Sequence, residues 1–280
     1  MSTGHILLLG AIAGATIFLG LPIGRIQALS AASRAGLSAL ATGILLFLLW
    51  DVLSGAVDPI ESALDARHWG RFSWLAALGL AGFALGLMSL VYYSEWMRKR
   101  AHRRATTLVG PGAAAIDEFR HRSWIEHLTA GERLALLIAI GIGVHNFGEG
   151  LAIGQAAAAS EISLAVTLII GFGLHNATEG FGICGPISGE GTQPSWSFLA
   201  LLGVIGGAPT FFGTLLGQAW SSEAMSVVFF AVAAGSILYV VQELFAVNRK
   251  YGHTTLVTWL VLAGLMLGFA TDFVVSASGV

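Results

Sequence analysis

At 280 residues the chain is 55% hydrophobic and only 11% charged, with 14 basic and 16 acidic side chains and a formal net charge of −2. A soluble domain of this length would be about a quarter charged, so the composition excludes a water-soluble globule and specifies an all-α integral membrane protein whose partner is the lipid bilayer. Near-neutral charge gives no reason to expect a nucleic acid, and the single Cys184 excludes an intrachain disulfide and any CxxC metal or redox motif.

Eight apolar runs of bilayer length read as transmembrane helices, here spans 1 to 8, at 5–24, 35–57, 72–96, 132–155, 161–186, 196–218, 223–247 and 253–277. They form one transporter-sized domain over 1–280. Span 1 has no Lys or Arg before it and no small-residue cleavage site after it, so it is expected to be retained. Pro22 and Pro209, inside spans 1 and 6, are expected to bend their helices. Trp196, Trp220 and Trp259 read as interface anchors. The 37 glycines suit helices that approach closely in lipid, where small residues let backbones meet.

Twelve of the 14 basic residues lie in the connections that follow odd-numbered spans: Arg25 and Arg34, then Arg98 to Arg133, then Arg249 and Lys250. Positively charged connections face the cytoplasm, which places both termini outside. Arg67 and Arg71, after span 2, sit among Asp58, Glu61 and Asp65. The one long connection, 97–131, is expected to be a cytoplasmic basic loop. Its polybasic start, 97–104, would meet anionic lipid, Ala105 to Gly112 reads as flexible, and Ile116, Phe119, Ile125 and Leu128 could form a short interfacial helix. His102, His121 and His127 could capture metal before or after transit, but three scattered histidines in a basic loop read more readily as solvated side chains.

Spans 4 and 5 each carry the same polar motif, His145-Asn146-Phe147-Gly148-Glu149-Gly150 and His175-Asn176-Ala177-Thr178-Glu179-Gly180. A carboxylate at bilayer depth costs roughly 2.5–3.5 kcal/mol on insertion scales, so such residues normally face the protein interior and act there. On a helix His and Glu at i and i+4 share a face, and the intervening Asn flanks it. If the two spans pack together, two imidazoles, two amide oxygens and two carboxylates converge on one point. That mixed nitrogen and oxygen set suits a divalent transition metal and, without thiolates, argues against Cu(I). The bland alternative is a polar network that merely ties two helices together, with the asparagines satisfying backbone carbonyls. Duplication of the whole motif favours metal.

Spans 2 and 7 also repeat. Residues 41–53, ATGILLFLLWDVL, align without gaps on 233–245, AAGSILYVVQELF, each with a carboxylate eight residues after a glycine: Asp51 and Glu243. With odd connections on one side these spans run in opposite directions. Spans 1–3 and 6–8 are therefore expected to form an inverted repeat around spans 4 and 5, as in secondary transporters. Asp272, in span 8, reads as interfacial.

The doubled His-Asn-x-x-Glu-Gly, the eight spans, the outside termini and the basic connection between spans 3 and 4 resemble the ZIP family (Zrt/Irt-like proteins) of divalent metal transporters. Span 7, from Gly235 to Glu243, is similar to the family's Gly-Ala-Met-apolar-Tyr-Val-Val-x-Glu-Glu run. The resemblance implies a midplane metal site with His145, Glu149, His175 and Glu179 as ligands and Asn146 and Asn176 beside the glutamates. It places Asp51 and Glu243 along the route in or out. It also implies a homodimer and an elevator-like cycle in which helices 1, 4, 5 and 6 slide against 2, 3, 7 and 8. The expected activity is uptake of zinc, or of Fe2+, Mn2+, Co2+ or Cd2+, across a plasma or inner membrane, with no catalytic cofactor and no enzymatic step. Two departures stand out. Gly148 and Thr178 occupy positions where the family often has proline, and Ala208 before Pro209 stands where bacterial relatives commonly carry a bridging glutamate, so a single metal site is expected. The rivals are an intramembrane metal-dependent hydrolase, for which no HExxH is present, and a member of the same fold with impaired transport.

Overall fold

The computed structural model describes residues 3–26, 30–107, 128–158, 169, 173, 176, 177, 179–187, 193–219 and 222–277. They are helical almost throughout. In chain order the helices are α1 (Thr3–Ala15), α2 (Ala31–Asp65), α3 (Trp69–Thr107), α4 (Ala130–Ala158), α5 (helical at 169, 173, 176, 177 and 179–184), α6 (Trp196–Ala219), α7 (Glu223–Tyr251) and α8 (Thr254–Ala277). Seven spans, all but the partly described fifth, are long and apolar enough to cross a bilayer.

Several helices depart from the hydropathy runs. Span 1 stops being α-helical at Ala15 and continues as two 3₁₀ turns, Thr16–Leu19 and Leu21–Arg25. Pro22 lacks the N–H that an α-helix would direct at the carbonyl four residues back, so the chain tightens there. Helix α2 runs past Pro59 to Asp65. Helix α3 continues through the polybasic stretch to Thr107, so residues 97–107 are helix and not loop. Hydropathy marks where lipid ends, whereas a helix ends only where its backbone finds another partner. Residues 108–127, with His121, His127 and most of the expected interfacial helix, lie outside the described residues.

Helix ends carry legible signals. At α4 the Glu132 N–H donates to Thr129 Oγ1 (3.1 Å) and the Thr129 N–H to Glu132 Oε2 (2.9 Å), a capping box. Helix α7 ends on Gly252 in the left-handed conformation, with Arg249 and Lys250 in its last turn.

The helices pack as two groups. Helix α6 lies against both α1 and α4, while α2 lies against α8 and α7, and α3 against α7; the α4–α7 contact is the main seam between the groups. Glycines set the crossings. A Cβ at Gly143, Gly150 or Gly154 of α4 would strike the carbonyls of Ile205, Thr210 or Thr214 on α6, and one at Gly213 or Gly217 would strike those of Phe147 or Leu151. The repeated segments use their glycines alike: Gly43 meets the Val261 carbonyl of α8, and its aligned counterpart Gly235 meets the Phe83 carbonyl of α3. Connections also pair as alternation across a bilayer requires. Arg25, after span 1, donates to Pro194 O and to Gln193 Oε1 (2.8 Å), after span 5. Arg71, after span 2, pairs with Glu223, after span 6.

Candidate metal centre

Helix α4 carries His145, Asn146 and Glu149 into the middle of the molecule, and α5 brings Asn176 and Glu179 to meet them. All five are buried. His145 Nε2 lies 3.2 Å from Glu149 Oε1 on its own helix and 3.6 Å from Glu179 Oε1 across the helix pair. One imidazole nitrogen thus faces two carboxylates in a setting closed to water. Ligands about 2.1 Å from a tetrahedral zinc are separated by about 3.4 Å, which the two observed separations bracket. His175, the fourth expected ligand, lies outside the described residues. Among the described residues no three His, Cys, Asp or Glu side chains amount to a complete metal-ligand group.

The two asparagines behave alike. Asn146 Nδ2 is 3.0 Å from Glu179 Oε2 and 3.0 Å from the Gly206 carbonyl of α6. Both neighbours are acceptors, so the amide nitrogen must face them and Oδ1 is turned the other way. Asn176 Nδ2 donates to the Ala13 carbonyl (3.1 Å), in the last turn of α1, where helical partners run out. In each copy of the motif the amide therefore ties its helix to a neighbouring span, α6 or α1. The bland reading of the asparagines holds for their nitrogens only. Asn146 Oδ1, Asn176 Oδ1 and Glu149 Oε2 are buried with no hydrogen-bond partner among the described residues.

Asp51 of α2 is half-buried and close enough to His145, Glu149 and Glu179 for their charges to act on one another. Asp272, expected at the interface, is half-buried on α8 and within the same electrostatic reach of Asp51. Glu243 is half-buried on α7 and forms no ion pair with the cluster among the described residues. One turn from Asp51 and beside Glu149, an aromatic layer crosses the seam. The Phe230 ring of α7 lies where a Cβ on Gly148 (2.8 Å) or on Gly55 (3.4 Å) would meet it, and the Phe147 and Phe229 rings meet tilted at 49°, 4.7 Å between centroids.

Two polar features escaped the motif-based reading. Asn248 Nδ2 donates to Thr42 Oγ1 (2.9 Å), which donates to the Ser38 carbonyl (2.7 Å), so α7 is tied to α2 by buried neutral groups. Thr210, on α6, is fully buried and its hydroxyl has no partner among the described residues. The available signal is small polar residues four apart in an apolar run, Ser38 with Thr42 and Thr210 with Thr214.

A model of the ZIP zinc transporter family matches residues 94–276, more than half of the chain. The chain belongs to the ZIP zinc transporter family. No curated protein matches it in sequence. Membership makes this ZIP chain a multi-pass membrane protein of a family that transports divalent metals.

Proposed function

We propose that this ZIP protein carries a divalent transition-metal cation, zinc foremost, into the cytoplasm through a site made by His145, Glu149, His175 and Glu179, with Asn146 and Asn176 completing it. The observation that carries the reading is the approach of His145 Nε2 to both buried carboxylates, at ligand-to-ligand separations suited to zinc. Two carboxylates supply the charge that neutralises a dication and lowers its desolvation cost, and imidazole with carboxylate releases more readily than four thiolates. Ala208 offers no donor from α6, so the site takes one metal. Asp51 and Glu243 line the route, Asp51 closest to the cluster. The grouping of α1, α4 and α6 apart from α2, α3, α7 and α8 supports an elevator-like cycle, with the first group carrying α5 and the metal. The positive connections favour outside termini in a plasma or inner membrane, and a homodimer is the expected assembly.

The test is 65Zn uptake into proteoliposomes. Glu149→Ala and Glu179→Ala are each expected to bring uptake close to the protein-free background while inserting normally. Wild-type rates in either variant would overturn the reading.

A further inference from the structure

Thr16 stands where span 1 gives up its α-helical course, and its hydroxyl reaches two helices at once. Thr16 Oγ1 lies 2.7 Å from the Ala13 carbonyl, three residues back, and 2.6 Å from the Gly173 carbonyl of α5. A hydroxyl has one proton to give, so only one of these carbonyls receives it at a time. Ala13 O already accepts the Asn176 amide at 3.1 Å. A proton given to Gly173 O therefore leaves both carbonyls with a donor, one from each helix: Thr16 serves α5 while Asn176 serves α1.

The two bonds fall in a longer contact. A Cβ on Gly20 would strike the Ala177 carbonyl and the Phe181 nitrogen, and one on Gly180 would strike the Ile17 carbonyl. Residues 13, 16, 17 and 20 thus meet 173, 176, 177 and 180, a three-and-four spacing that marks one helix face on α5. Glu179 sits roughly a third of a turn round from that face. There Asn146 Nδ2 holds one of its oxygens at 3.0 Å, and the other lies 3.6 Å from His145 Nε2. The backbone that carries Glu179 is therefore set from behind by the region around Thr16, and its carboxylate meets α4 in front.

We propose that Thr16 is a positioning residue that fixes α5 against α1 and so sets the size of cation the centre accepts. The proposal rests on the metal site described above. A cation whose bonds are about 0.2 Å longer than those of zinc needs tetrahedral ligands about 0.3 Å further apart. Shifts of that size are what a hydrogen bond to the α5 backbone can resist or permit. Held as observed, Glu179 and His145 suit the smaller ion; released, α5 can draw back and admit a larger one.

The experiment compares Thr16→Ala, which removes the hydroxyl without adding bulk beside Gly173 O, with Thr16→Ser, which keeps the hydroxyl. Zn2+ and Cd2+, ions of equal charge and different size, are titrated separately into the purified full chain in detergent, and the metal-free Tm is recorded. Glu179→Gln is run beside them. In Thr16→Ala the dissociation constant for Zn2+ should rise about tenfold and that for Cd2+ clearly less, so that the preference between the two narrows. Thr16→Ser should keep the parent's preference. An unchanged preference in Thr16→Ala, with or without a lower metal-free Tm, would make Thr16 a contact of the fold alone and overturn the proposal. If Glu179→Gln abolishes binding of both ions while Thr16→Ala keeps the parent's preference, only the role of Thr16 falls. If Glu179→Gln binds both ions as the parent does, the central site falls and the proposal with it.

Discussion

A single carboxamide does three things at Asn146. It donates to Glu179 Oε2, donates to the Gly206 carbonyl, and leaves Oδ1 turned away from both. The first bond fixes which oxygen of Glu179 is free to face His145, so the residue governs the ligand geometry of the partner helix as well as its own. Asn146→Ala leaves a buried carboxylate oxygen and a buried carbonyl without their donor. Support of this kind for a metal ligand is worth roughly 10–100-fold in affinity. Isothermal titration of the purified protein with Zn2+ should show a loss in that range, and a dissociation constant within twofold of the parent would remove Asn146 from the site. Its place beside Glu179 was foreseeable from the doubled motif; its bond to α6 was not. No local pattern says which carbonyl, sixty residues on, an amide will reach. Thr210 was hidden for the same reason, since a threonine in an apolar helix is ordinary until its hydroxyl is seen to be buried with no partner among the described residues.

At the scale of elements, what could be read in advance was what depends on local periodicity. Eight spans, the shared face of His145 and Glu149, and the likeness of 41–53 to 233–245 need only hydropathy and the helical repeat. The 3₁₀ turns after Ala15 and the run of α3 to Thr107 depend on where backbone groups find partners, and hydropathy is silent on that. The departure at Gly148 belongs between the two. Where relatives often carry proline, this chain has a residue with no side chain, and Phe230 fills the space: a Cβ there would sit 2.8 Å from its Cε1 and 3.0 Å from its Cδ1. Gly148 and Phe230 thus read as a matched pair across the α4–α7 seam. Gly148→Ala forces the ring aside and should lower stability by about 1–3 kcal/mol, the usual cost of overpacking. Adding Phe230→Leu, which shortens the opposing side chain, should recover part of that loss. Thermal unfolding of the single and double variants decides it, because independent sites would give additive losses instead.

At the scale of the whole molecule the packing separates what must move together from what can slide. Carbonyls against glycines lock α4 to α6, α2 to α8 and α3 to α7 at backbone distance, and such crossings have no slack. Between the groups the α4–α7 seam is made differently. Its aromatic layer and the bond from Gln155 Nε2 to Ser226 Oγ, at 3.4 Å, are side-chain contacts that can be exchanged for others. An elevator-like cycle requires the seam to shift and the glycine crossings to stay. With Cys184 replaced by Ala, paired cysteines at Gln155 and Ser226 joined by a short bifunctional thiol reagent should arrest uptake, and a cleavable linker should restore it on reduction. Paired cysteines at Arg71 and Glu223, whose side chains form an ion pair between α3 and α7 within one group, should be joined without loss of uptake. Arrest by both pairs would mean that the α3–α7 contact also moves. Arrest by neither would mean that the cation crosses without displacement of α4 against α7, and the transport cycle would then have to be carried by side chains around His145 alone.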